Sequence, residues 1–301
     1  MKALCFGSLN IDYTYKVPHF VSRGETLSST ALEVFSGGKG LNQTVALARA
    51  GVKVFHAGAV GSDGLFLLDE LRAAGADVSL VSVREDIRTG HAIIQTGPDG
   101  DNCILLYGGA NRSISPAQID EALAHFSPGD LLVLQNEISE LAYLVEKAAE
   151  WGLRIALNPA PMDSSIAALP IETLSWLILN EVEAAQLLGG EGGKLNGPGM
   201  VRALHERFPG PAIVLTLGEL GAVYIDRKAF YCQSAVPVQA VDTTAAGDTF
   251  TGYFLAGILE GQPPAEAMAL AAKAAAIAVT RPGASPSIPN RREVEECILK
   301  R

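Results

Sequence analysis

Short runs of consecutive apolar residues recur along the chain: ALCF at 3–6, VFHAGAV at 54–60, LLVLQ at 131–135, RIALN at 154–158, WLILN at 176–180 and AIVLTL at 212–217. Runs this short, with no polar alternation, are the pattern of strands buried on both faces. Segments of helical period lie between them. In LAYLVEKAAEWG, at 141–152, Leu141, Leu144, Val145 and Ala148 fall on one stripe. A strand, helix, strand rhythm of this kind predicts an α/β fold whose mainly parallel sheet is covered by helices on both faces. No repeat of solenoid length is present.

Two regions break the rhythm. Residues 12–35 and 88–110 alternate like strands without helices, and GPDGDN inside the second is a hairpin-turn signal. They form either a small separate β layer, able to act as a lid, or a pair of surface hairpins. The lid reading divides the chain into a core of residues 1–11, 36–87 and 111–301 and a lid of residues 12–35 and 88–110.

The 301 residues suffice for one large α/β domain with a small appendage. A net charge of −10 argues against a nucleic-acid backbone as partner. Cys5, Cys103, Cys232 and Cys297 are far apart and form no CxxC pair, so neither a zinc site nor a disulfide framework is expected, and the plain reading is a cytoplasmic protein. Asp12 arrives before any signal-length apolar run, and no stretch approaches the roughly 20 apolar residues of a membrane span. NQT at 42–44 and NRS at 111–113 match glycosylation sequons and are read as chance.

The stretch DTTAAGDTF, 242–250, precedes a helical pattern. Asp and Thr are good caps, so a simple helix start is one reading. The other is chemical: the amides of Ala245, Ala246 and Gly247 sit where a helix begins, and the first turn of a helix has unsatisfied donors and a partial positive charge. Residues this small let a phosphate approach, and Asp248 beside it is placed to take a proton from an attacking hydroxyl. NEVE, at 180–183, follows a strand and puts Asn180 and Glu183 on one helical face, as a hydrated magnesium ion needs or as a polar helix start would have it. In TLGELG, 216–221, Thr216, Gly218 and Gly221 make a tight turn that either passes a nucleotide phosphate or leads a hairpin into AVYID. No GxxxxGK[ST], GxGxxG after a strand, or HExxH is present.

A second polar group lies in the amino-terminal half. FSGGKGLNQTVALARAG, 35–51, is a glycine turn feeding a helix, where Gly37, Gly38 and Gly40 allow a ligand against the backbone and Lys39 and Asn42 supply donors. Asn10 and Asp12, in GSLNID, share a strand face, and Glu137 follows a later strand. Neutral amide plus carboxylate suits a polyol, whose hydroxyls both give and accept; equally, Asn and Asp favour loops after strands.

Taken together these residues resemble the ribokinase (PfkB-type) family of sugar kinases, over GSLNID, GGKGLNQTVALARAG, GGANRSISP, ALNPAP, NEVEA, TLGELG, VDTTAAGDTF and AAAIAVTRPGASPSIP. The resemblance implies a doubly wound α/β domain with a small β-sheet lid, dimerising through the lid. It implies Asp248 as catalytic base, with the amides of Ala245, Ala246 and Gly247 in an anion hole. Asn10, Asp12, Gly38, Lys39, Gly40, Asn42 and Glu137 match sugar-binding positions. Asn180, Thr216, Gly218, Gly221, Gly247 and Ala272 match nucleotide positions, and Glu183 would organise Mg2+ through water. A monovalent cation, K+, is implied near Asp242, Thr244, Ala278, Arg281, Gly283 and Ser287. Ala272 stands where relatives often carry Asn or His beside the adenine, and Leu41 replaces a commoner alanine next to the sugar loop. The implied activity is ATP-dependent phosphorylation of the primary hydroxyl of a pentose, D-ribose foremost. The alternatives are another acceptor (deoxyribose, a ketohexose, a sugar acid or a nucleoside) or a non-catalytic sugar or nucleotide sensor.

Overall fold

The computed structural model describes residues 1–99, 101–190 and 192–297. Its strands are β1 (Ala3–Phe6), β2 (Asn10–Lys16), β3 (Ala31–Gly37), β4 (Val54–Gly61), β5 (Asp77–Arg84), β6 (Gly90–Thr96), β7 (Asn102–Tyr107), β8 (Leu131–Gln135), β9 (Arg154–Asn158), β10 (Trp176–Asn180), β11 (Ala212–Thr216), β12 (Ala222–Ile225) and β13 (Phe230–Gln233). The helices are α1 (Lys39–Arg49), α2 (Leu65–Ala73), α3 (Pro116–Leu123), α4 (Leu141–Glu150), α5 (Glu181–Leu188), α6 (Gly197–Arg207), α7 (Ala246–Leu259), α8 (Pro264–Ala278) and α9 (Arg291–Glu296).

Nine strands form one sheet in the order β13-β12-β11-β10-β9-β8-β1-β4-β5. Only β12 is reversed, running antiparallel to both of its neighbours, β11 and β13. The buried runs explain the two-sided packing. In β1, Ala3 and Cys5 face a core shared with α1, α2, α7 and α8, while Leu4 and Phe6 face one shared with α3, α4, α5 and α6. Helix α4 lays Leu141, Leu144, Val145 and Ala148 into the second core, the stripe expected from its period. Among the described residues, no helix is long and apolar enough to cross a membrane.

The winding reverses at β1. The chain moves outward through β4 and β5, then returns to β8 on the other side and continues to β9, β10 and β11. A crevice therefore opens beyond the carboxyl ends of β1 and β8, the place where open α/β sheets collect ligands.

The regions without helices build a second sheet of four strands, ordered β3-β2-β6-β7. Two antiparallel hairpins, β2–β3 and β6–β7, join through the parallel pair β2–β6, with Asn10 opposite Gly90. The turn between β6 and β7 closes with the Gly97 amide donating to the Asp101 carbonyl at 3.0 Å. The strands begin at Asn10 and end at Gly37, so Asn10, Ile11, Ser36 and Gly37 belong to this sheet. Leu32, Val34, Ile104, Leu105 and Leu106 on it are exposed.

Helices α1 and α7 cross with only the Ala46 methyl facing Gly252 between them. A Cβ on Gly252 of α7 would lie 2.4 Å from the Cβ of Ala46 on α1. Glycine is what permits this approach, and it brings the amino-terminal turns of α1 and α7 together.

Candidate active site

The amino terminus of α1 is fastened to the end of β1. The Gly40 amide donates to Ser8 Oγ (3.2 Å) and the Leu41 amide to the Ser8 carbonyl (3.0 Å). A Cβ on Gly40 would stand 2.4 Å from the Ser8 nitrogen, and Gly38 has φ 96° with Ser8 and Asn10 backbone against it. The glycines of this turn thus answer first to contact with β1. Gly37 is likewise filled by the Asp12 carboxylate, whose Oδ2 lies 2.1 Å from where a Cβ would be.

Glu137, just beyond β8, accepts hydrogen bonds from the Ser8 hydroxyl and from the Lys39 amide (3.1 Å). Burial pushes its carboxyl upward from the usual range. The Lys39 ammonium is raised, chiefly by the negative charge of Asp248, with Glu137 and Glu183 adding to it. A single cation is thus surrounded by three acids.

Asp248 sits in the first turn of α7, 7% exposed. Ala245 caps that helix in the left-handed region with φ 59°. Asp248 Oδ2 accepts from Asn42 Nδ2 (3.0 Å) and Oδ1 from Gln43 Nε2 (2.9 Å). Gln43 Oε1 in turn accepts from Gln135 Nε2 at the end of β8 (2.7 Å), and Gln43 Nε2 also reaches Asn158 Oδ1 at the end of β9 (3.3 Å). A carboxylate only accepts, so both amides must turn their nitrogens to it. The carboxylate's position is therefore fixed from three elements.

Gln43, Gln135 and Asn158 are not among the residues predicted from sequence. Their one local signal is polarity out of place: Gln135 and Asn158 end apolar strand runs, and Gln43 is fully buried in a helix.

A cavity of about 230 Å3 opens beside Asp248. Lys39, Asn180, Glu183 and Thr216 line it, and Ala245, Ala246 and Gly247 form its wall at the start of α7. The Ala246 amide is engaged with the Thr243 carbonyl (3.2 Å). Nothing lies within 4 Å of a Cβ built on Gly247, so the helix start is open there. Gly218, Gly221 and Ala272 do not line this cavity. Gly221 has φ 105° and its Cβ would meet the Gln233 carbonyl at 2.0 Å, so the β11–β12–β13 meander itself requires glycine. Ala272 is buried in the core.

Asn180 and Glu183 form a capping box on α5. The Glu183 amide donates to Asn180 Oδ1 (2.9 Å), while the Glu183 carboxylate accepts from the Asn180 amide (3.0 Å) and from Asn180 Nδ2 (2.9 Å). The helix start and the cavity wall are one feature. Both Glu183 oxygens have a protein donor, which leaves lone pairs for water rather than a bare carboxylate for a metal.

The segment before α7 is tied to the turn after α8. Asp242 Oδ1 accepts from the Thr244 amide (2.9 Å) and hydroxyl (2.6 Å), and Oδ2 accepts from the Gly283 amide (2.8 Å). Ala278 ends α8, its carbonyl accepting from the Arg281 amide (3.0 Å), and Ser287 is buried nearby in sequence with its hydroxyl donating to the Ala284 carbonyl (2.7 Å). The Arg281 guanidinium is paired with Glu293; being a cation with no acceptor, it could offer a metal nothing, and only the Arg281 carbonyl could. Among the described residues no group of three or more His, Cys, Asp and Glu gathers to hold a metal. Hydrogen bonds thus join Asp242, Thr244 and Gly283 of the residues expected around a monovalent cation, and among the described residues none joins Ala278, Arg281 or Ser287 to Asp242.

At the acceptor end, burial and the charge of Glu137 raise the Asp12 carboxyl to about 6. Asn10 is 7% exposed, and its Oδ1 accepts from Asn111 Nδ2 (2.8 Å). The sequon asparagines Asn42 and Asn111 are both buried, which removes them as glycan acceptors. Asn42 bonding to Asp248, and Lys39 to Glu137, bring the glycine turn and the start of α7 to one place.

Comparison with known proteins agrees with this geometry. Residues 1–291 match the model of the pfkB family carbohydrate kinases. The chain is 35% identical to the ribokinase of Haemophilus influenzae over 305 residues, covering 97% of this chain and 96% of that one. Its fold superposes with a TM-score of 0.86 on the ribokinase of Cryptococcus neoformans var. grubii serotype A in complex with ADP, at 35% identity over 98% of this chain and 99% of that one. The Arabidopsis thaliana ribokinase complexed with ribose and ATP gives a TM-score of 0.87 at 28% identity, over 98% and 97%. With residues 1–291 matched, and with Asp248 and Lys39 of the glycine turn meeting at one cavity, the chain belongs to the pfkB family of carbohydrate kinases.

Proposed function

We propose that the protein transfers the γ-phosphoryl group of ATP to the primary hydroxyl of D-ribose, giving D-ribose 5-phosphate and ADP. The observation that carries this reading is the Asp248 carboxylate, buried at the mouth of α7 and held by the amides of Asn42 and Gln43. Asp248 accepts the hydroxyl proton as the new O–P bond forms and the bond to the leaving ADP oxygen breaks. Of the three amides expected to form the anion hole, that of Ala246 is taken by the Thr243 carbonyl, while that of Gly247, in a first helical turn where donors have no intrahelical partner, faces the charge spreading over the transferring group. Lys39 adds a cation beside it. The four-stranded sheet acts as a lid over the sugar, carrying Asn10 and Asp12, and excludes water that would compete as acceptor.

Glu183 and Asn180 suit a magnesium ion held through water, and Asp242, Thr244, Ser287 and the carbonyls of Ala278, Arg281 and Gly283 suit a potassium ion. When bound, these ions supply neutralising charge to the phosphates and to the segment leading into α7. Two copies associate through the lid sheet, whose exposed Leu32, Val34, Ile104, Leu105 and Leu106 favour burial. The free thiols of Cys5, Cys103, Cys232 and Cys297 suit the reducing cytoplasm.

An ADP-release assay over ribose, 2-deoxyribose, fructose and a nucleoside, with and without potassium, tests the reading. Saturable release with ribose, strengthened by potassium, is the expected result. Release with another acceptor alone would reassign the substrate, and none with any would leave a sensor.

Asp12 makes the sugar site pH-dependent. Its carboxyl titrates at about 6 in the folded chain against 3.8 in the reference state. Stability from this group is present below 3.8 and lost as pH rises through about 6. Ribose affinity follows the opposite sign, because hydroxyls donate to the ionised form. Calorimetry should show ribose binding tighten from pH 5 to 7 and then level off, and Asp12→Asn should flatten that rise.

A further inference from the structure

Asn111 lies in the turn after β7 and is 2% exposed. Its side chain brackets one residue like a second peptide: Oδ1 accepts from the Leu9 amide (3.0 Å), and Nδ2 donates to the Leu9 carbonyl (3.2 Å). The same Nδ2 donates to Asn10 Oδ1 at 2.8 Å. The backbone groups of Leu9 cannot exchange roles, so the Asn111 amide has one allowed orientation. The Asn10 amide is thereby oriented too, with its oxygen inward. What Asn10 has left is its nitrogen, for which no acceptor is found among the described residues, although the residue is more than nine-tenths buried. The main body anchors Asn111 from outside this triangle, since the Ser139 amide donates to the Asn111 carbonyl (3.0 Å). Gly90, paired with Asn10 across β2–β6, leaves the room: its Cβ would lie 2.2 Å from Asn111 Nδ2 and 2.5 Å from Asn10 Oδ1.

We propose that Asn111 is a specificity-setting positioning residue, which holds the Asn10 amide as a hydrogen-bond donor and so selects an acceptor sugar carrying a hydroxyl oxygen at that place. The inference rests on the polyol-kinase reading above. It also explains a division of labour: Asn10 gives a proton and Asp12 takes one, so a hydroxyl between them meets both needs at once. An amide free to flip would recognise a hydroxyl less sharply, because either end would find some partner.

The test is a double-mutant cycle on the whole protein, with D-ribose as probe. Asn111→Asp offers only acceptors, so the Asn10 nitrogen turns inward and its oxygen outward. Ribose affinity is expected to fall about 10- to 100-fold. The ATP KM and the kcat at saturating ribose should stay within about 3-fold, as for loss of an interaction equal in ground and transition states. On an Asn10→Ala background the same change should add less than about 2-fold. Monodeoxy riboses supply a second readout: the hydroxyl whose removal no longer matters in Asn10→Ala should be the one that no longer matters in Asn111→Asp. Should the aspartate variant fail to fold by thermal melting, Asn111→Ser takes its place in the cycle, with an expected loss of about 3- to 10-fold. An equal loss in both backgrounds, or an unchanged ribose affinity, overturns the inference while the kinase reading stands. A native protein that releases no ADP with ribose overturns both.

Discussion

Asp248→Asn is expected to lower kcat by about 10²- to 10⁴-fold, the range of general-base catalysis, with folding and ribose affinity nearly preserved. The surroundings make this substitution unusually clean. One of the two donors now holding the carboxylate must meet an amide nitrogen instead of an oxygen. Gln43 cannot oblige, because its Oε1 is committed to Gln135. Asn42 can, because its Oδ1 has no partner in the folded chain. A half-turn of that amide presents an acceptor to the new nitrogen and leaves the helices in place. Turnover by ADP release, set beside calorimetric ribose binding and a thermal melt, separates chemistry from folding. Turnover within a few-fold of the native protein would remove Asp248 from the role of base.

Gly40→Ala is expected to cost at least about 3 kcal/mol of stability, the upper end for overpacking. The added methyl would lie 2.4 Å from the Ser8 nitrogen, 2.5 Å from the Gly7 carbonyl carbon and 2.7 Å from Gly7 Cα, all backbone. Nor can β1 retreat, since it is hydrogen-bonded on both sides, to β4 and to β8. Helix α1 must lift instead, and Asn42 and Gln43 leave Asp248 with it. Denaturant unfolding and turnover should therefore fall together. Gly190→Ala, with nothing within 4 Å of the new methyl, serves as the control and should stay within about 0.5 kcal/mol. Native-like stability in the Gly40 variant would mean that the α1–β1 contact is looser than described.

The contrast between what could and could not be read in the sequence has a physical cause. Strands β1, β8, β9 and β10 occupy the residues of their apolar runs, because burial on both faces leaves a continuous local signature. Strand β5 carries no such mark: DVSLVSVR is an edge strand, largely open to solvent on one side. The family motifs around 38 and 248 named the residues that meet at the cavity. The amides that orient them were silent, since Gln43 finds Asp248 across 205 positions and Asn111 finds Asn10 across 101. No local spacing records a partner that far away. Asn180 and Glu183 show the opposite limit, a spacing with two readings, polar helix start and magnesium pair; the structure shows the first as a capping box, at the edge of the cavity.

The bare crossing of α1 and α7 at Gly252 and Ala46 has a consequence for how such a protein can change. Only the Ala46 methyl lies between the two backbones there, so a side chain at 252, or one larger than Ala at 46, would force α1 and α7 apart. Under the proposed function, a change of acceptor is expected to come along β2, which presents Asn10 and Asp12, rather than at this crossing. The helix pair that carries Asn42, Gln43 and Asp248 is thereby the part of the cleft with least room to vary.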